Sequence, residues 1–136
     1  EACQLAGKQD IRDLFVPNFY FGCEADDRMN AVAFNRKLNH FDVKLKALFS
    51  SDIGHWDVPD IRYVVHEAHG AVEAGLMDEG DFRDFVFRNV AELHVQMNPG
   101  FYKGTAVEGA VQKLIDDGEI VLPDHAAALA VPAAAE

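Results

Sequence analysis

A chain of 136 residues, 49% of them hydrophobic, has enough apolar material for one core but falls short of the roughly 250 residues of a closed (β/α)8 barrel. With 12 Lys and Arg against 23 Asp and Glu the net charge is −11, which repels phosphate backbones and anionic membranes. The basic pairs Arg36-Lys37 and Lys44-x-Lys46 are too short to reverse this, so neither a nucleic-acid nor a membrane partner is expected.

No apolar run approaches the roughly 20 residues of a membrane span. Two cysteines, Cys3 and Cys23, are too few for a disulfide framework and point to reduced thiols in a cytoplasmic protein.

In chain order, residues 1–16 read as the end of a helix whose beginning is expected upstream, with Leu5, Ile11, Leu14 and Phe15 on one face before Pro17 stops it. Phe19-Tyr20-Phe21-Gly22-Cys23 reads as a short strand running into Glu24-Ala25-Asp26-Asp27. Asp26 or Asp27 then caps a helix over 28–38, and Val43 to Ser51 supplies a second strand. A connection of about 20 residues suits a parallel crossover, so these elements form one β-α-β unit.

Beyond Val58 the periodicity turns helical. One helix is expected from Pro59, with Ile61, Val64, Val65, Ala68, Val72 and Leu76 at i, i+3, i+4 spacing and Gly75 as terminator. A short helix from Asp78 follows, and Asn89 with Glu92 looks like a capping-box variant opening another that ends at Asn98-Pro99-Gly100. A last helix spans about 106–117, and the Ala-rich tail 126–136 is expected to be disordered, leaving 1–125 as the structured portion.

The stretch Leu48-Phe49-Ser50-Ser51-Asp52-Ile53-Gly54-His55-Trp56 is an apolar run ending in an acid, a glycine and a histidine. In parallel α/β proteins both strand faces are covered, so polar side chains with chemical roles gather at the strands' C-terminal ends. Asp52 is therefore the first candidate for catalysis, with capping of a following helix as its plainer role. His66-Glu67-Ala68-His69 differs from the zinc-protease pattern, whose histidines stand four apart, and its helix, which follows the second strand, is expected on the outside of the fold.

Phe21-Gly-Cys-Glu-Ala-Asp-Asp-Arg-Met-Asn30 and Leu48-Phe-Ser-Ser-Asp-Ile-Gly-His-Trp-Asp-Val-Pro-Asp60, followed by Asp81-Phe-Arg-Asp-Phe-Val-Phe-Arg-Asn89 and Asn98-Pro-Gly-Phe-Tyr-Lys-Gly104, resemble the C-terminal part of the amidohydrolase-related family. This is the metal-dependent hydrolase and decarboxylase-like branch of its superfamily. The resemblance covers roughly residues 17–108. It implies a C-terminal fragment of a (β/α)8 TIM barrel, an α/β fold in which Phe19 to Cys23 is strand seven and Ala47 to Ser51 strand eight. It further implies a divalent metal ion, zinc or alternatively manganese, at the barrel mouth, with Asp52 as metal ligand and proton carrier acting on a small organic substrate.

His55 is a second catalytic candidate, and Glu24 and Trp56 are candidates for contacting substrate. The family's His-x-His pair and its further histidines have no counterpart here, and one carboxylate with one histidine falls below the three protein ligands of a catalytic zinc. The isolated chain is accordingly expected to be inactive, to need the N-terminal part of the barrel as partner, and to self-associate through its uncovered strands as a homo-oligomer. The alternative is a non-enzymatic acidic helical module that binds a basic partner.

Overall fold

The computed structural model describes residues 4–123. They form two compact units, one reaching Val86 and the other starting at Phe87.

The first unit is a mixed assembly of helix and strand. Helix α1 (Lys8–Phe15) leads into β1 (Tyr20–Glu24), and a single 3-10 turn, Arg28–Asn30, precedes the short α2 (Ala31–Phe34). Strand β2 (Lys46–Ser50) then lies parallel to β1, in a register that pairs Tyr20 with Lys46 and Glu24 with Ser50. The β-α-β unit legible in the sequence is therefore present, and the two strands end side by side. Helices α3 (Val64–Glu73) and α4 (Glu79–Arg83) complete the unit.

The crossover helix is shorter than the expected 28–38, because asparagine side chains compete for its backbone groups. Asn39 Nδ2 donates to the carbonyls of Val32 and Ala33 at 2.9 and 3.2 Å, and Asn35 leaves the helical region at φ −84°, ψ 94°. Phe41 and Asp42 then adopt left-handed conformations (φ 64° and 54°), which delays β2 from Val43 to Lys46. A similar local bond shifts the start of α3 from Pro59 to Val64: Asp60 Oδ1 accepts from the Arg62 amide at 3.0 Å and holds the chain in a turn.

The Asn89/Glu92 capping box does not form. The backbone stays helical from Glu79 through the π-turn Asp84–Arg88 into α5 (Asn89–Met97), so the Asn89 and Glu92 amides need no cap, and both residues are buried. The reciprocal cap sits upstream instead, where Asp78 Oδ1 accepts from the Asp81 amide at 2.7 Å and Asp81 reaches back to the Asp78 amide.

Phe85, 1% exposed, anchors the core of the first unit: its ring meets Phe34 and Phe49 edge-on at 6.2 and 5.9 Å among Ala47, Ala68 and Met77. An ion pair between Lys44 and the buried Asp81 ties the approach to β2 to α4. By contrast α1 buries none of its residues, and Leu14, Phe15 and Phe19 are exposed. The second unit closes its own core from Ala91 and Val95 of α5, Val111 and Leu114 of α6 (Glu108–Asp116), and Ile120. Arg88 fastens its end by donating to the Glu119 carbonyl at 2.6 Å.

No helix among the described residues is long and apolar enough to cross a membrane. Cys3 and the segment 126–136 lie outside the described residues.

Two outcomes follow from this packing. Phe85→Ala removes a buried ring from a dense contact set and is expected to cost about 3–5 kcal/mol in denaturant unfolding. In the second unit burial raises the Tyr102 hydroxyl above its ordinary value of 10.0. The neutral form is the one the fold favours, so its stabilisation is complete below about pH 10 and disappears as the pH climbs through the raised value. Unfolding titrations in alkali should show that loss in wild type and a flatter profile in Tyr102→Phe.

Candidate functional site

Because β1 and β2 run parallel in this register, their exits bring Glu24, Asp26 and Asp52 to one end of the sheet. Asp52 follows directly on Ser50-Ser51 and takes a left-handed conformation (φ 52°), turning the chain out of the strand. Gly54 continues the turn at φ 110°, a region that only glycine enters at low cost. The His55 amide donates to the Asp52 carbonyl and the Val58 amide to the His55 carbonyl, both at 3.2 Å. These tight loops fold Asp57 back beside Asp52.

The result is a three-residue cluster. Asp52, His55 and Asp57 each offer one ligand atom, all within 4.8 Å of one another. His55 Nδ1 lies 2.8 Å from Asp52 Oδ2, an ion-pair contact when the imidazole carries a proton, and Oδ2 is buried with no hydrogen-bond partner. The Asp52 side chain is 22% exposed and that of His55 69%. One imidazole nitrogen and two carboxylate oxygens form a donor set that suits zinc or manganese, with coordination positions left over. A buried carboxylate oxygen that makes no hydrogen bond is a feature a cation would satisfy, and the residues present fit one.

Around this cluster lies a crevice of about 20 Å3, room for a water molecule, lined by the carboxylates of Glu24, Asp26, Asp52, Asp57 and Glu67. The Glu24 carboxyl titrates above its ordinary value, first because it shares a hydrogen bond with Asp52 and then because Asp52, Asp26 and Asp57 repel its charge. Trp56, named as a substrate contact, is 94% exposed and does not line the crevice.

Asp57 and Glu67 are the residues that sequence reasoning missed. Asp57 gave a signal in the Gly54 turn, since a left-handed glycine two residues after an acid returns the chain toward it. Glu67 belongs to the histidine-rich motif expected on the outside of the fold, yet it lines the crevice, while His66 is exposed and His69 sits between Glu73 and Glu79 at 3.6 and 3.3 Å.

Helix capping falls to Asp27, which accepts from the Met29 amide at 2.8 Å. Cys23 is half-buried, and burial raises its thiol above the ordinary value with a smaller contribution from Asp27, which disfavours a nucleophilic thiolate.

No protein-family model, no curated protein and no solved structure matches this chain. The geometry of the strand ends is therefore the basis on which function is argued.

Gly54→Ala tests the loop. A Cβ there meets no atom within 4 Å, so the change acts through backbone strain alone, of order 1–3 kcal/mol. The expected readout is a His55 imidazole resonance moving toward its free position as the ring leaves Asp52, with the core resonances of Phe49 and Phe85 unmoved.

Proposed function

We propose that the first unit is the strand-seven and strand-eight portion of an amidohydrolase-type (β/α)8 barrel, and that the protein is a metal-dependent hydrolase or decarboxylase of the amidohydrolase-related family. The observation that carries this reading is the convergence of Asp52, His55 and Asp57 within 4.8 Å at the C-terminal end of a parallel strand pair, with one Asp52 oxygen buried and free of hydrogen bonds. That is the end of a parallel sheet where barrel enzymes place their chemistry. The sheet also has no strand beyond β1 or β2 among the described residues, and apolar side chains stand exposed beside β1 at Phe15, Phe19 and Phe21. Both features suit a sheet that continues into further strands.

A divalent ion, zinc or manganese, held by Asp52, His55 and Asp57 would lower the pKa of a coordinated water toward 7. Asp52 has the position to accept the proton of the attacking water and to return it to the leaving group. His55, beside Asp52 Oδ2, positions that carboxylate. Glu24, at the end of the neighbouring strand, lines the same crevice and narrows the approach to a small-molecule substrate. A cytoplasmic location goes with this reading, since zinc or manganese chemistry of this kind needs no disulfides and Cys23 is a free thiol.

The test is metal binding. The chain is expected to take up one manganese or zinc ion, and Asp52→Asn, which keeps a residue tolerant of the left-handed backbone, should weaken the affinity by about ten- to hundredfold. Equal metal content in wild type and Asp52→Asn, measured by calorimetry and elemental analysis, would refute the assignment.

A further inference from the structure

A larger concavity lies on the same unit, next to the strand-end crevice. Its volume is about 140 Å3, its floor consists of Ala68, Ala71, Met77 and Phe85, all buried, and its rim carries Asp26, Arg28 and Glu67. Asp52, His55 and Asp57 do not line it, so it is distinct from the three-residue cluster even though Asp26 and Glu67 border both.

The polar groups at the rim have an excess of acceptors. Asn30, 6% exposed, also lines the cavity; its Nδ2 donates to the Glu24 carbonyl at 2.5 Å, and its Oδ1 takes no partner among the described residues. The Asp26 and Glu67 carboxylates likewise make no hydrogen bond or ion pair among the described residues. Asn30 Oδ1 is therefore an acceptor left over in a largely buried residue at the cavity wall, beside the apolar floor.

We propose that this cavity binds a primary ammonium group carried on a short apolar chain. An ammonium brings three donors and one positive charge, which answers Asn30 Oδ1, Asp26 and Glu67 together. A cavity volume of about 140 Å3 is close to that which accepts a guest the size of benzene, so a chain of about four carbons fits against the apolar floor of Met77 and Phe85. A hydrated divalent ion would leave that floor unused, and a carboxylate ligand would meet three like-charged residues, Asp26, Asp27 and Glu67, against the single cation Arg28.

The probe is n-butylammonium, compared with butyrate and 1-butanol and followed by amide chemical shifts on the full chain. Saturable binding of n-butylammonium at millimolar concentration is expected, at least about tenfold tighter than either comparison compound.

Gly70 lines the cavity, and a Cβ at this position meets no atom within 4 Å, so Gly70→Leu starts a side chain in open space at the cavity wall and removes a mid-helix glycine. That variant should lose binding about tenfold, and Glu67→Gln, an exposed change that leaves the core alone, should lose it severalfold. Asp52→Asn should retain n-butylammonium binding while losing metal, which separates this site from the proposed metal centre. The proposal is overturned by absent binding, by butyrate or butanol binding as tightly, by Gly70→Leu and Glu67→Gln both binding as wild type does, or by loss of the amine in Asp52→Asn.

Discussion

The parallel register between β1 and β2 is the constraint from which the rest of the first unit follows. Pairing Glu24 with Ser50 brings two strand exits to the same height, so Glu24, Asp26 and Asp52 share one end of the sheet although 28 residues separate the first and the last. An antiparallel pairing would have sent them to opposite ends. Ladder hydrogen bonds set that register, and the rings of Phe34, Phe49 and Phe85 hold the sheet against the helices behind it.

Gathering five carboxylates in one crevice works against folding, because like charges raise one another's energy in proportion to their proximity. The molecule absorbs part of this cost locally: the Glu24 carboxyl keeps its proton to higher pH by sharing it with Asp52. The only basic side chain at the rim of the adjoining cavity is Arg28, and the chain as a whole carries −11. On the readings proposed above, a divalent cation at the Asp52 cluster and an ammonium in the adjoining cavity would each offset part of that repulsion.

The two units differ in how completely they cover their apolar residues. In the second, α5, α6 and Ile120 enclose a small core, and Arg88 ties its end to Glu119. The first encloses Phe85 well but leaves Leu5, Ile11, Leu14, Phe15, Phe19 and Phe21 exposed along α1 and the approach to β1. A two-stranded parallel sheet has no means of covering both its edges from within. Under the proposed barrel reading, the exposed side chains and the strand edges left open among the described residues are where further strands would pack.

By itself the sequence determined the elements whose signals are local. Alternation of apolar runs with acids specified both strands and their exits at Glu24 and Asp52, and the i, i+3, i+4 spacing of Val64, Ala68 and Val72 specified α3, because these patterns act over a few residues. Boundaries set by side-chain competition were less legible. Asn35 and Asn39 truncate α2 through bonds whose outcome depends on how the following chain turns, and the π-turn at 84–88 carries the helix past what reads as a fresh N-terminus at Asn89. The full membership of the site was decided only by tertiary structure. Asp57 joins Asp52 through the left-handed turn at Gly54, and Glu67 arrives on a helix whose packing places it over the strand ends. Proximity between residues from different elements is a property of packing, and no spacing along the chain encodes it.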